Sequence, residues 1–138
     1  IIARSSVQVT PGLQMKHKQI SVCNNTFQCD EKIADIIEFL NNHNIKTIMS
    51  CQEDGYGKVW ILFSCDSFFH LKKMIRIKNQ EFNKWFKKEV IYGLSISNGE
   101  TLGYFTENKT LLTSNNNVWI RFSPENLNYF KENIVSIV

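Results

Sequence analysis

The sequence predicts an α+β fold built on a mixed, largely antiparallel sheet with helices on one face. Three observations predict it. Strand-like runs and helically spaced apolar residues alternate in the order β-α-β-β-α, followed by a strand meander and a final helix. Asn98-Gly99 separates two strand-like runs, which is a strong hairpin signal. The string Val59-Trp60-Ile61-Leu62-Phe63-Ser64 returns as Val118-Trp119-Ile120-Arg121-Phe122-Ser123, each time ahead of a helical pattern.

The elements follow in order. Residues 1 to 17 read as an irregular N-terminal extension, with Pro11-Gly12 as a turn signal. Gln19 to Cys23 read as a short strand that Asn24-Asn25 breaks. Asp30 is the expected N-cap of a helix in which Ile33, Ile36, Ile37 and Leu40 share one face. Ile45 to Ser50 and Lys58 to Ser64 are expected strands joined across Gly55 and Gly57. Asp66 or Ser67 is expected to cap a helix carrying Phe68, Leu71, Met74 and Ile75. Asn79 opens a short helix with Phe82, Trp85 and Phe86, and Val90 to Ser97 and Glu100 to Phe105 form the hairpin around Asn98-Gly99. The first five elements fit a ferredoxin-like β-α-β-β-α start, with the first strand parallel to Ile45–Ser50. Residues 45–77 and 109–137 read as two copies of a hairpin–helix unit. Convergence would also give this pattern, but the shared string favours duplication.

The whole chain of 138 residues is read as one domain with its own core. Hydrophobic residues make up 43% and charged residues 21%, ordinary for a globular protein. No apolar run approaches the ~18 residues of a membrane helix, and no secretory signal is visible, although the chain begins at Ile1. A cytoplasmic location is expected, and an oligomer is compatible with the composition. The net charge of +3 is mild, unlike that of a protein made only to coat nucleic acid.

The four cysteines, Cys23, Cys29, Cys51 and Cys65, contain no CxxC pair. They are expected to be reduced, and no metal or other cofactor is expected. Walker, GxGxxG, HExxH and GxSxG motifs are absent from the sequence, which argues against the chemistries they carry. Cys51 could serve as a nucleophile only with a base and an orienting group. His17, His43 and His70 have no motif spacing to it. A cysteine-dependent enzyme centred on Cys51 is therefore an alternative rather than the lead.

The topology instead suggests a binding edge. The carboxyl ends of the first strand and of Ile45–Ser50 are expected on the same side as the start of the first helix. That edge would gather Cys23, Asp30, Ser50, Cys51, Gln52 and Tyr56 around a small anionic, nucleotide-like ligand. Trp60 and Trp119 hold matched places in the two repeats. Strand tryptophans commonly belong to the core, but an exposed pair would stack on a ligand, with Arg121 beside its phosphate. The segment 72–88 offers a second partner class, nucleic acid, through Lys72, Lys73, Arg76, Lys84, Lys87 and Lys88. There Phe82, Trp85 and Phe86 fall at core-facing spacing, which would put the lysines on a solvated face.

The block Phe39-Leu40-Asn41-Asn42-His43-Asn44-Ile45-Lys46-Thr47-Ile48-Met49-Ser50-Cys51-Gln52-Glu53-Asp54-Gly55, with the strand that follows it, resembles one in small phage and prophage proteins. Their pattern is roughly Leu-Asn-x-x-Gly-Ile-x-Thr-x-x-Ser-Cys-x-Gly. Asn44 stands in place of its first glycine and Glu53 in place of its last. The resemblance covers about a quarter of the chain. It implies a phage or mobile-element accessory protein acting in the host cytoplasm. The leading expectation is therefore a non-enzymatic counter-defence protein that sequesters a nucleotide-like ligand or blocks a host protein.

Overall fold

A computed structural model describes residues 17–22, 25–95, 101–104 and 117–138. Two strands, β1 (His17–Val22) and β2 (Asn25–Asp30), precede helix α1 (Glu31–Asn42). Strands β3 (Thr47–Cys51) and β4 (Val59–Ser64) lead into α2 (Cys65–Lys78) and α3 (Gln80–Glu89). Strands β5 (Ile91–Ser95), β6 (Thr101–Tyr104) and β7 (Asn117–Phe122) follow, and α4 (Leu127–Ile137) closes the chain. The architecture is α+β, as the sequence predicts.

Two expectations about the sheets need correction. The strand predicted at Gln19–Cys23 does not run parallel beside β3. It pairs antiparallel with β2, a strand that the sequence reading missed, in a separate two-stranded sheet. The main sheet has the order β3-β4-β7-β5-β6 and is antiparallel in every described pairing, not mixed. The ferredoxin-like start is thus replaced by a hairpin, β1–β2, laid beside α1. The N-terminal extension through Lys16, the Asn98-Gly99 turn and residues 109–116 of the second expected repeat lie outside the described residues.

The core lies on one face of the main sheet. Alternate strand residues point to opposite faces, so Val59, Ile61 and Phe63 share a face with their neighbours Phe122, Ile120 and Val118. All six are buried in one cluster with Ile33, Ile37 and Leu40 of α1, Phe68, Leu71 and Ile75 of α2, Phe82 and Phe86 of α3, and Phe130 and Ile134 of α4. Helices α1 to α4 therefore cover this face.

The two Val-Trp-Ile-x-Phe-Ser strings are neighbours. β4 and β7 pair with Trp60 opposite Arg121, Ile61 opposite Ile120 and Leu62 opposite Trp119. In sequence, Trp60 matches Trp119 and Leu62 matches Arg121. The pairing thus relates the strings by a local two-fold through Ile61 and Ile120. Each strand then enters a helix whose matched residues, Phe68, Leu71 and Ile75 or Leu127, Phe130 and Ile134, are buried.

Local chemistry fixes the boundaries. The α2 cap is Ser64, whose hydroxyl accepts from the Ser67 N–H at 3.4 Å, and not the expected Asp66 or Ser67. The Ser67 hydroxyl instead accepts from the Lys46 N–H at 2.7 Å, tying the start of β3 to α2. Asn79 ends α2 and caps α3, its Oδ1 accepting from the Phe82 N–H at 3.0 Å. Asn44 has φ +64° after α1, a left-handed position that asparagine, like glycine, tolerates.

Candidate functional site

The edge expected to hold a ligand does assemble, from β2 rather than β1. Asp30 sits at the N-cap position of α1, but its carboxylate does not cap the helix. Its Oδ2 accepts from the Gln52 N–H at 2.9 Å across the gap to β3. Gln52 reciprocates: its Oε1 accepts from the Lys32 N–H at 2.7 Å, in the first turn of α1. Cys29 Sγ and Ser50 Oγ are in hydrogen-bond contact at 3.6 Å. Asp30, Ser50, Cys29 and Cys51 are fully buried. Cys23 lies outside the described residues.

This corner is closed. A helix start attracts anions through its exposed N–H groups, yet here Gln52 occupies one and a buried carboxylate lies beside it. Burial pushes the Cys29 thiol up to about 11, so at neutral pH it is a thiol and not a nucleophilic thiolate. Cys51 has no solvent-exposed surface for a substrate to approach. Among the described residues, no group of histidine, cysteine, aspartate or glutamate side chains could hold a metal ion.

The loop after Cys51 folds around the carboxylate of Asp54. Asp54 Oδ1 accepts from the N–H groups of Tyr56 at 2.8 Å and Lys58 at 3.0 Å, while Oδ2 accepts from Arg121 Nε at 2.6 Å. The Arg121 guanidinium lies 4.9 Å from the centre of the Tyr56 ring and 5.0 Å from that of Trp119. The cation is thus paired with a carboxylate and flanked by two rings. Trp119 is buried and Trp60 half-buried, while Tyr56 is 77% exposed. The tryptophans therefore do not form an open stacking pair. Asp54 is the residue missed here; an aspartate ahead of Gly-Tyr-Gly is a recognisable side-chain turn signal.

The basic segment makes a different arrangement. Phe69, Lys72, Lys73 and Arg76 fall at i, i+3, i+4 and i+7 on α2, so they share one stripe. Asn83 and Lys87 form a second stripe on α3. Asn79, with φ −149°, breaks the helix between them, and the two stripes line one groove of about 240 Å³. Phe82 and Phe86 of α3 are buried and Trp85 is partly buried, as their spacing predicts. Lys84 and Lys88 are exposed but are not among the groove-lining residues.

The cations of this groove differ in their commitments. Lys72 donates to the Tyr92 hydroxyl at 3.1 Å and lies 5.0 Å from the centre of its ring. Lys73, Arg76 and Lys87 make no side-chain ion pair or hydrogen bond among the described residues. Like charges such as Lys72 and Arg76, four residues apart on a helix, each cost a few tenths of a kcal/mol (about 0.2–0.5). An anion in the groove would turn that repulsion into attraction. Among the described residues no helix is long and apolar enough to cross a membrane. The chain matches no protein family, no curated protein and no solved structure.

Proposed function

We propose that this protein is a binding protein that holds the phosphate groups of a nucleic acid in the groove between α2 and α3. The observation that supports this reading is the convergence of Lys73, Arg76 and Lys87 on one concavity with no acidic side chain among the described residues that line it. Lysine and arginine engage a phosphate backbone without regard to sequence and release counterions in doing so. For a phage or mobile-element accessory protein, which the Ser50-Cys51 block resembles, such a groove would act on host or phage nucleic acid.

A second reading is sequestration of a nucleotide-like ligand in host counter-defence. It rests on the confinement of Lys73, Arg76 and Lys87 in one groove, whose volume of about 240 Å³ lies just below the roughly 300–1,000 Å³ of small-molecule pockets. The ligand would then enter at Lys73, Arg76 and Lys87, not at Ser50, Cys51 and Gln52.

Fluorescence anisotropy with a labelled oligonucleotide tests the main reading. With three phosphate contacts, log affinity should fall against log salt with a slope of roughly 2 to 3. Loss of binding at low salt, or a slope near zero, overturns it. Unlabelled mononucleotides and cyclic nucleotides, added as competitors, test the second reading.

A further inference from the structure

We infer that the groove takes a whole nucleotide unit, phosphate together with base, and that Asn83 recognises the edge of the base. The inference rests on the phosphate-binding reading and adds a specificity-determining residue to it.

Asn83 lines the groove and is only 8% exposed, yet its carboxamide makes no hydrogen bond among the described residues. Other amides of this chain are used differently. Asn41, 5% exposed, donates to the Ile37 carbonyl and the Thr47 hydroxyl, both at 2.8 Å, and accepts from the Thr47 N–H at 3.1 Å. Asn79 caps α3 and donates to Asn133 Oδ1 at 3.0 Å. Asn133 donates in turn to the Tyr129 carbonyl at 2.8 Å. The Asn83 amide atoms are not sealed from solvent in the way that Asp30 Oδ1 is, so water or a ligand in the groove can supply those bonds.

The chemistry of the amide selects that ligand. A carboxamide carries two donors and an acceptor on one planar group. A phosphate at neutral pH offers mainly acceptors, so it would use the amide NH₂ and leave Oδ1 facing other oxygens. The edge of a nucleobase offers a donor beside an acceptor, the arrangement an asparagine matches bidentately. Cations stand on both helices to hold the phosphates, Lys73 and Arg76 on α2 and Lys87 on α3. The Phe69 side chain adds an aromatic wall, and aromatic side chains favour unstacked bases. A duplex keeps its bases stacked and paired, so a groove of this size would admit a splayed base of a single strand or a free nucleotide.

Binding of the full chain would be measured to four probes: single-stranded homopolymers of each base, a duplex, an abasic phosphodiester oligomer and inorganic polyphosphate. Wild-type protein should prefer at least one single-stranded homopolymer over both the duplex and the abasic oligomer. Asn83→Ala should weaken the preferred homopolymer by roughly five- to a hundredfold and leave polyphosphate binding unchanged. Asn83→Gln, which keeps the amide on a longer stem, should retain more of the preference than Asn83→Ala. Circular dichroism melting checks that each variant folds. Equal affinity for base-bearing and abasic probes, or equal loss on all probes, overturns the base-reading role while leaving phosphate binding intact. Failure of every probe to bind overturns both. Competition by mononucleotides, compared per nucleotide with the strand, identifies whether the unit comes free or within a chain.

Discussion

Arg121 and Arg76 sit in contrasting surroundings. Arg121 is paired with Asp54, flanked by Tyr56 and Trp119, and joined through its loop to the closed corner of Asp30 and Gln52. Arg76 stands exposed beside Lys73 and Lys87 with no carboxylate among the described residues that line the groove. The first region uses its charge and hydrogen bonds to hold the fold. The second leaves them for something else. What separates scaffold from candidate site here is whether the cation is already paired with a carboxylate, not how many charged groups there are.

The comparison can be broken most directly at Asp54. Asp54→Ala would strand the Arg121 guanidinium and remove the acceptor from two backbone N–H groups. The side chains of the pair are 26% and 10% exposed, so part of the charge cost is screened by solvent. The expected loss is about 2–3 kcal/mol in urea unfolding, with oligonucleotide affinity unchanged. A folded variant of wild-type stability would mean that the loop is ornamental, and a loss of binding would move the site to this end of the sheet.

The converse change is the pair Lys73→Glu and Lys87→Glu. It should reduce phosphate affinity by about a hundredfold or more, because two attractive contacts become repulsive. Stability should stay within about 0.5 kcal/mol of wild type, as is usual for surface positions. Anisotropy at low salt and a thermal melt on the same sample separate the two effects. A variant that binds as well as wild type would remove the groove from consideration.

The two regions also differ in how much of them could be read from the sequence. Helical spacing located α1, α2 and α3, and the glycine loop located the β3–β4 hairpin. β2 was missed because Asn25–Asp30 carries only Phe27 and Cys29 as apolar residues among polar ones, too short a pattern to signal a strand. The corner was anticipated through Asp30, Ser50, Cys51 and Gln52, but not its closure. That closure depends on side-chain bonds between residues about twenty positions apart. The Asp54–Arg121 pair spans 67 positions and follows only from the β4–β7 register. In the groove, the stripe Phe69-Lys72-Lys73-Arg76 is visible as helical spacing. Its meeting with Asn83 and Lys87 depends on the angle the chain takes at Asn79, which no periodicity encodes.

Alkaline pH should act on the closed corner. The Cys29 thiol is raised from 9.0 to about 11 by burial. The folded state therefore holds this proton more tightly than the unfolded chain does. Its contribution is fully present below about pH 9 and is lost as pH rises toward about 11, on the order of 2 kcal/mol. Cys29→Ala should flatten this part of the urea-midpoint profile relative to wild type. An unchanged profile would mean that the thiol is accessible in the folded protein and that the corner is open.

The mildest change sharpens the groove itself. Lys87→Ala removes one cation from α3 and leaves Lys73 and Arg76 on α2. If each of the three cations meets one phosphate, the slope of log affinity against log salt should fall by about 0.7 to 0.9. The accompanying loss of affinity at low salt should be severalfold. A slope that does not move would show that Lys87 lines the groove without touching the ligand. The phosphate would then lie along α2 alone, at Lys73 and Arg76. A slope that falls by more than one contact would instead mean that Lys87 positions the strand for the other two, making the α2–α3 angle at Asn79 part of the binding site.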